Sequence, residues 1–176
     1  MTQAIVPRWE WRTFGDGFGA VDSRFDALAP EAVRESDEVY VLSLLSDASV
    51  KLREGLLDVK VLREVSGDGL ERWEPVVKAP AALSHDDLGL LGDALGVQTV
   101  AVRVHKHRAH YLLDGCMAER SEIRTAHGAR RTIGIESEDP ELVRKVVTEL
   151  GFDTRRNANL PHELKRLAGF GARLPA

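Results

Sequence analysis

The sequence predicts an α+β protein: an eight-stranded antiparallel β-barrel with flanking helices. Three observations lead there. Arg8-Trp9-Glu10-Trp11-Arg12 alternates residue by residue, tryptophans on one face and three charges on the other, which is the period of a strand. Further segments alternate in the same way between short turns, giving a count of about eight strands. The charges of those strands recur in pairs on one face. A closed barrel with helices packed on its outer wall and a polar lumen accounts for such faces, and antiparallel strands in that number commonly close.

The elements follow in order. After the opening strand, Gly15-Asp16-Gly17 breaks the pattern, and Ala20 to Leu28 has the apolar spacing of a short helix ending before Pro30. Glu38 to Leu44 is rich in β-formers, and Ser49 to Glu54 reads as the next strand, closed by Gly55. Leu57 to Val65 sets Val59, Val61, Arg63 and Val65 against Asp58, Lys60, Leu62 and Glu64. Gly67-Asp68-Gly69 is a hairpin turn, since these residues tolerate positive φ. Leu70 to Lys78 returns as a strand, where Pro75 removes a ladder donor and predicts a bulge or an edge.

Ser84 with Asp87 makes a capping pair for a helix that closes near Gly96. Thr99 to Leu113 is a long strand whose valines at 100, 102 and 104 share a face with Lys106, Arg108 and His110, so an apolar face turns cationic midway. Cys116 to Arg124 and Arg131 to Glu138 flank a turn at His127-Gly128. Asp139-Pro140 starts a helix with an apolar stripe through Leu142, Val143, Val146, Val147 and Leu150, and Pro161 to Ala168 forms a last short one.

The chain of 176 residues suits one domain over residues 1–176, with no linker, repeat or low-complexity tract to divide it. Charged residues at 30% and a net charge of −4 describe a globular chain and argue against general nucleic-acid binding, which usually shows a basic surface. No apolar run approaches the roughly 20 residues of a membrane helix, and Met1 to Pro7 has no basic region or apolar segment of a secretory signal. A cytoplasmic location is expected. The lone Cys116 fits a reducing compartment and reads as a small buried residue.

Lys51 with Arg53, Lys106 with Arg108 and Glu136 with Glu138 are each two apart in a strand and so share a face. One such pair is an ordinary solvated face; several, around a closed barrel, surround an anion with cations and offer carboxylates to a divalent metal. That chemistry suits a polyphosphate, with Mg²⁺ or Mn²⁺ bridging phosphate and orienting water. His105 and His107 lie opposite Lys106, and with no third ligand at a suggestive spacing they read as exposed strand histidines. Trp9 and Trp11 read as packing under helices.

The order of these pieces resembles the CYTH, or triphosphate tunnel metalloenzyme, superfamily, named for class IV adenylate cyclases and thiamine triphosphatases. Lys51-x-Arg53 resembles the family's Arg-x-Arg strand, Lys60 the lysine on the strand after it, and Arg72-x-Glu74 an Arg-x-Glu element. Lys106-x-Arg108 resembles the Lys-x-Arg motif before the last hairpin, and Glu136-x-Glu138 the closing acidic strand. Of the acidic residues on the penultimate strand, Glu119 and Glu122 face opposite ways, and Glu122 is favoured for the lumen. The departure lies at the opening Glu-x-Glu-x-Lys motif. Aligned there, Arg12 stands at the lysine, Glu10 at the second glutamate and Arg8 at the first, so a cation replaces one metal ligand.

The resemblance implies an antiparallel tunnel holding a triphosphate and a divalent metal. Phosphates fall to Arg8, Arg12, Lys51, Arg53, Lys60, Arg72, Lys106 and Arg108, and Mg²⁺ or Mn²⁺ to Glu10, Glu74, Glu122, Glu136 and Glu138. The first functional reading is metal-dependent hydrolysis of a triphosphate or polyphosphate compound. The alternative is a non-catalytic phosphate-binding module that has lost a metal ligand.

Overall fold

The structure, a computed structural model, describes residues 6–171. Eight strands and four helices run in the order β1 (Arg8–Gly15), α1 (Ala20–Asp26), β2 (Ala32–Ser43), β3 (Ser49–Arg53), β4 (Leu56–Val65), β5 (Glu71–Pro80), α2 (His85–Ala94), β6 (Thr99–Leu113), β7 (Cys116–Thr125), β8 (Gly128–Ser137), α3 (Pro140–Glu149) and α4 (Leu160–Leu167). The strands form a ring in the order β1-β5-β4-β3-β2-β6-β7-β8, and every neighbouring pair is antiparallel. The ring closes through β1, which pairs with β8 on one side and β5 on the other.

Most elements lie where local chemistry puts them. Ser84 and Asp87 form a reciprocal capping box on α2, and the Asp139 side chain accepts from the Glu141 backbone N–H at the start of α3. Gly69, at φ +85°, lets the β4–β5 hairpin turn. The bulge expected at Pro75 is present: Lys60 pairs with Pro75 and Val59 with Val77, leaving Val76 extra. β5 is no edge, since it pairs on both sides. The strand predicted from Glu38 instead begins at Ala32. Ala32 to Asp37 lacks β-forming alternation, but it pairs residue by residue with His110 back to His105, so the ladder makes it a strand where propensity does not.

The two faces of the ring differ. Outside, Trp11, Tyr111, Ile133 and Ile135 join Phe25 of α1 and Val143 and Val146 of α3 in a buried cluster, and the Trp11 ring stacks on Phe152 at 5.1 Å. The tryptophan face of the opening strand is therefore its outer face, packed under helix. Inside, one end of the ring is apolar: Tyr40, Leu42, Val102, Val104 and Ile123 meet Leu160 and Leu164 of α4. The Asn159 side chain caps α4 by accepting from the His162 N–H. This explains the midway change along β6: its valines pack against α4, and its cations continue beyond the helix into the polar half of the ring. Among the described residues no helix is long and apolar enough to cross a membrane.

Candidate functional site

The polar half of the ring encloses a cavity of about 210 Å³, bounded at one end by Asn159, Leu160 and Pro161. Alternation along the strands brings Glu10 and Arg12 from β1, Lys51 from β3, Lys60 from β4, Lys106 and Arg108 from β6, Glu119 from β7 and Glu136 from β8 to its wall. Trp73 of β5 and Tyr40 of β2 add aromatic surface.

Three networks organise the charges. At the centre, buried Arg12 donates from Nε to Glu10 Oε1 at 2.8 Å, and from Nη1 to Glu119 Oε1 at 3.2 Å and Thr132 Oγ1 at 3.3 Å. Glu119 also takes Lys106 Nζ at 3.0 Å and the Ser121 hydroxyl at 2.7 Å. Deeper in the wall, Glu38 is only 1% exposed and accepts from Ser36 Oγ at 3.1 Å, Tyr40 Oη at 2.8 Å and Arg108 Nη2 at 3.2 Å, with Arg53 Nη1 at 3.5 Å. At the mouth, Arg8 reaches Glu136 Oε1 at 3.2 Å and Met117 Sδ at 2.8 Å.

Burial and charge act in opposition here. Burial pushes the Glu119 carboxyl up, but Lys106 and Arg12 outweigh it and hold the group well below the usual carboxylate range. Glu10 is lowered likewise, burial being overcome by Arg12 and Lys60, and Glu38 by Lys51, Lys106 and Arg108. For Lys51 and Lys106 burial prevails over the carboxylates, and both lie below an ordinary lysine. The carboxylates are thus ionised and neutralised by resident cations. Arg108 Nε is the one buried side-chain nitrogen or oxygen without a hydrogen-bond partner among the described residues.

Of the residues expected at the site, Glu10, Arg12, Lys51, Lys60, Lys106, Arg108 and Glu136 line this cavity, while Arg53 joins Glu38 and Arg8 guards the mouth. Four lie elsewhere. Arg72 and Glu74 stand on the outer face, where Arg72 is 3.7 Å from Glu64 and Glu74 pairs with Arg63; the register of β5 turns Glu71 and Trp73 inward instead. Glu122 is also outside, bonded to Arg124, because Glu119 and Ser121 pair with His110 and Arg108 on the inner face of β6. Glu138 falls beyond the end of β8 and is exposed.

Glu38, with Ser36 and Tyr40, had no place in the sequence-based site. Its signal was the alternation Ser36-x-Glu38-x-Tyr40-x-Leu42, polar residues on the same face as core apolar ones. Glu71 and Asn159 were also missed; Asn159 Nδ2 donates to Glu71 Oε1 at 3.1 Å and fixes the segment entering α4.

The donor set does not suit a divalent metal. Among the described residues no group of three or more His, Cys, Asp or Glu side chains is placed to hold one. The cavity's three carboxylates each meet a cation instead: Glu10 and Glu119 on Arg12, Glu119 also on Lys106, Glu136 on Arg8.

No protein-family model and no curated protein matches this sequence. Solved structures do. A conserved hypothetical protein from Pyrococcus furiosus superposes with a TM-score of 0.60 at 17% identity, covering 89% of this chain and 99% of its own. HpAC1 from Hippeastrum, a candidate adenylyl cyclase described as having a dominant triphosphatase activity, matches at 0.54 and 17% identity over 82% of this chain and 88% of its own. A candidate adenylate cyclase from Bacillus halodurans matches at 0.52 and 9% identity over 89% and 97%. At such identities the likeness is one of fold, and the eight antiparallel strands in a ring with four helices give this chain the CYTH-type fold.

Proposed function

We propose that this chain binds a triphosphate- or polyphosphate-class compound in the cavity inside the ring. The observation that carries the reading is the charge of the wall: Arg12, Lys51, Lys60, Lys106 and Arg108 against Glu10, Glu119 and Glu136, in a space of about 210 Å³. Arg12 is engaged by two of those carboxylates, whereas Lys60 is in no ion pair among the described residues, Lys51 lies 3.6 Å from Asp58, and Lys106 and Arg108 each meet one carboxylate, Glu119 and Glu38; these four are the groups that meet the ligand. A low-dielectric pocket lined by cations strengthens each such contact. The ligand is a small molecule rather than a nucleic acid or a membrane surface. Residues 1–176 act as a single domain in the cytoplasm on the same reading.

The fold neighbour described as a triphosphatase supports a second reading, hydrolysis of a terminal phosphoanhydride of the bound compound. In either case the wall's own residues neutralise the phosphate oxygens, and the α4 plug excludes bulk water from one end.

Calorimetric titration with tripolyphosphate tests the binding. Saturable binding is expected, weakened about tenfold or more by Arg108→Met, since a charge-assisted contact contributes about 1.5–3 kcal/mol. Absence of binding, or binding indifferent to that substitution, refutes the reading. Phosphate release from tripolyphosphate, nucleoside triphosphates and thiamine triphosphate, with Mg²⁺ or Mn²⁺ and with chelator, separates binder from hydrolase. Turnover abolished by Glu136→Ala supports hydrolysis; no turnover in any condition leaves binding as the function.

A further inference from the structure

We propose that the cavity takes its phosphate ligand without a divalent metal, because Arg8, Arg12 and Lys106 hold the carboxylates to which a metal would bind. The inference rests on the phosphate reading above and specifies how that site is charged.

A Mg²⁺ or Mn²⁺ ion at a phosphate site is held by at least one or two free carboxylate oxygens at about 2 Å, with phosphate oxygens and water completing its shell. In this ring the point at which Glu10 and Glu119 converge holds the Arg12 guanidinium, at 2.8 Å and 3.2 Å from their oxygens. Lys106 Nζ meets the same Glu119 oxygen at 3.0 Å. A metal entering there would meet two cations before it met a free carboxylate, and each is more than nine-tenths buried, where repulsion is poorly screened.

The guanidinium has a built seat. Arg12 pairs with Gly134 across the β1–β8 ladder, and a Cβ at position 134 would lie 2.5 Å from Arg12 Nη2 and 2.7 Å from its Cζ. Glycine is thus the residue that lets the guanidinium lie flat against β8. The backbone of Arg12 is fixed as well: its N–H donates to Asn157 Oδ1 at 2.7 Å, and its carbonyl accepts from Ala158 at 2.9 Å. Glu136, the third carboxylate of the wall, takes Arg8 at 3.2 Å. That pair is the looser one, with the Arg8 side chain 39% exposed, and solvent screening weakens it.

The consequence is a division of labour among cations. Arg12 neutralises the carboxylates and fixes the wall. Lys51, Lys60 and Arg108, which line the cavity, supply the positive charge that a metal would otherwise bring to the phosphate oxygens.

Two measurements on the intact protein test this. In the first, Mn²⁺ alone is titrated and followed by its electron paramagnetic resonance signal. The wild-type chain is expected to leave that signal undiminished, and Arg8→Glu, which puts a carboxylate beside Glu136, to deplete it with an affinity at least about tenfold tighter. In the second, tripolyphosphate is titrated in chelator with thermal stability as the readout, and a saturable upward shift is expected. Mn²⁺ binding by the wild type, or a tripolyphosphate shift that arises only when Mn²⁺ is supplied, overturns the proposal and leaves the phosphate reading standing. No shift in either condition overturns the phosphate reading, and the Mn²⁺ titration then still decides whether the carboxylates are closed to metal. That titration needs no variant, so it decides even if Arg8→Glu fails to fold.

Discussion

Replacing Glu119 by glutamine removes the carboxylate that joins the central network to the cationic wall. Glu119 takes Lys106 at 3.0 Å, Arg12 at 3.2 Å and the Ser121 hydroxyl at 2.7 Å, and its side chain is 15% exposed. Glutamine keeps the shape and the Ser121 contact but leaves Lys106 without its ion pair and Arg12 with Glu10 alone. Breaking one side of a buried pair costs about 3–5 kcal/mol, and the retained shape puts this change near the lower end, about 3 kcal/mol. For a chain of this length that is a fall in Tm of about 6–12 °C. The same substitution raises the positive charge of the cavity, so tripolyphosphate should stabilise the variant by more degrees than it stabilises the wild type. Differential scanning fluorimetry with and without the anion reads both effects. A Tm within about 2 °C of wild type, or a smaller anion-induced shift in the variant, refutes the network as described.

Gly134→Ala should destabilise by about 2 kcal/mol, because a Cβ 2.5 Å from Arg12 Nη2 forces the guanidinium off Glu10 and Glu119; an unchanged urea midpoint would contradict the seat. Leu164→Ala, at a fully buried position where α4 plugs the ring, should cost about 2–5 kcal/mol in the same assay, and a loss under about 1 kcal/mol would show the plug to be loosely packed. Glu10, Glu38 and Glu119 have folded pKa values below their ordinary 4.5, so the stability they contribute is present above that value and lost as pH falls through the folded values. Glu71 acts in the opposite sense: burial raises it, and its cost is relieved on acidification. Urea midpoints should hold between about pH 7 and about pH 5 and fall below about pH 4.5, while constant midpoints down to about pH 3 would contradict ionised, paired carboxylates.

Strand periodicity carried most of the fold. It assigned the tryptophan face of β1 to the outer packing, and the change from valine to lysine and arginine along β6 marked where α4 ends and the cavity begins. Properties that depend on register were less legible. Arg72 and Glu74 could be placed inward or outward with equal local sense, and only the pairing of β5 with β1, Glu10 opposite Glu71, decides that Glu71 and Trp73 enter. Glu119 and Glu122 differ in the same way, and Arg124, two residues on and on the same face as Glu122, proves to be its partner on the outer wall. Glu38 escaped because a charge within an otherwise apolar strand reads as a strand end, whereas here the strand continues six residues before it, from Ala32. Arg8 was legible from sequence as a departure from the family pattern; its contact with Glu136 was not, since Trp9 and Ser137, and not Arg8, are the paired residues at that end of the ladder.

The central claim is that an anion sits inside the ring, and a crystal structure with tripolyphosphate, grown in chelator, tests it most directly. The account predicts phosphate density between Lys51, Lys60, Lys106 and Arg108, with Arg12 still on Glu10 and Glu119. An empty ring with the anion on the outer surface, or Arg12 displaced from both carboxylates, would contradict it.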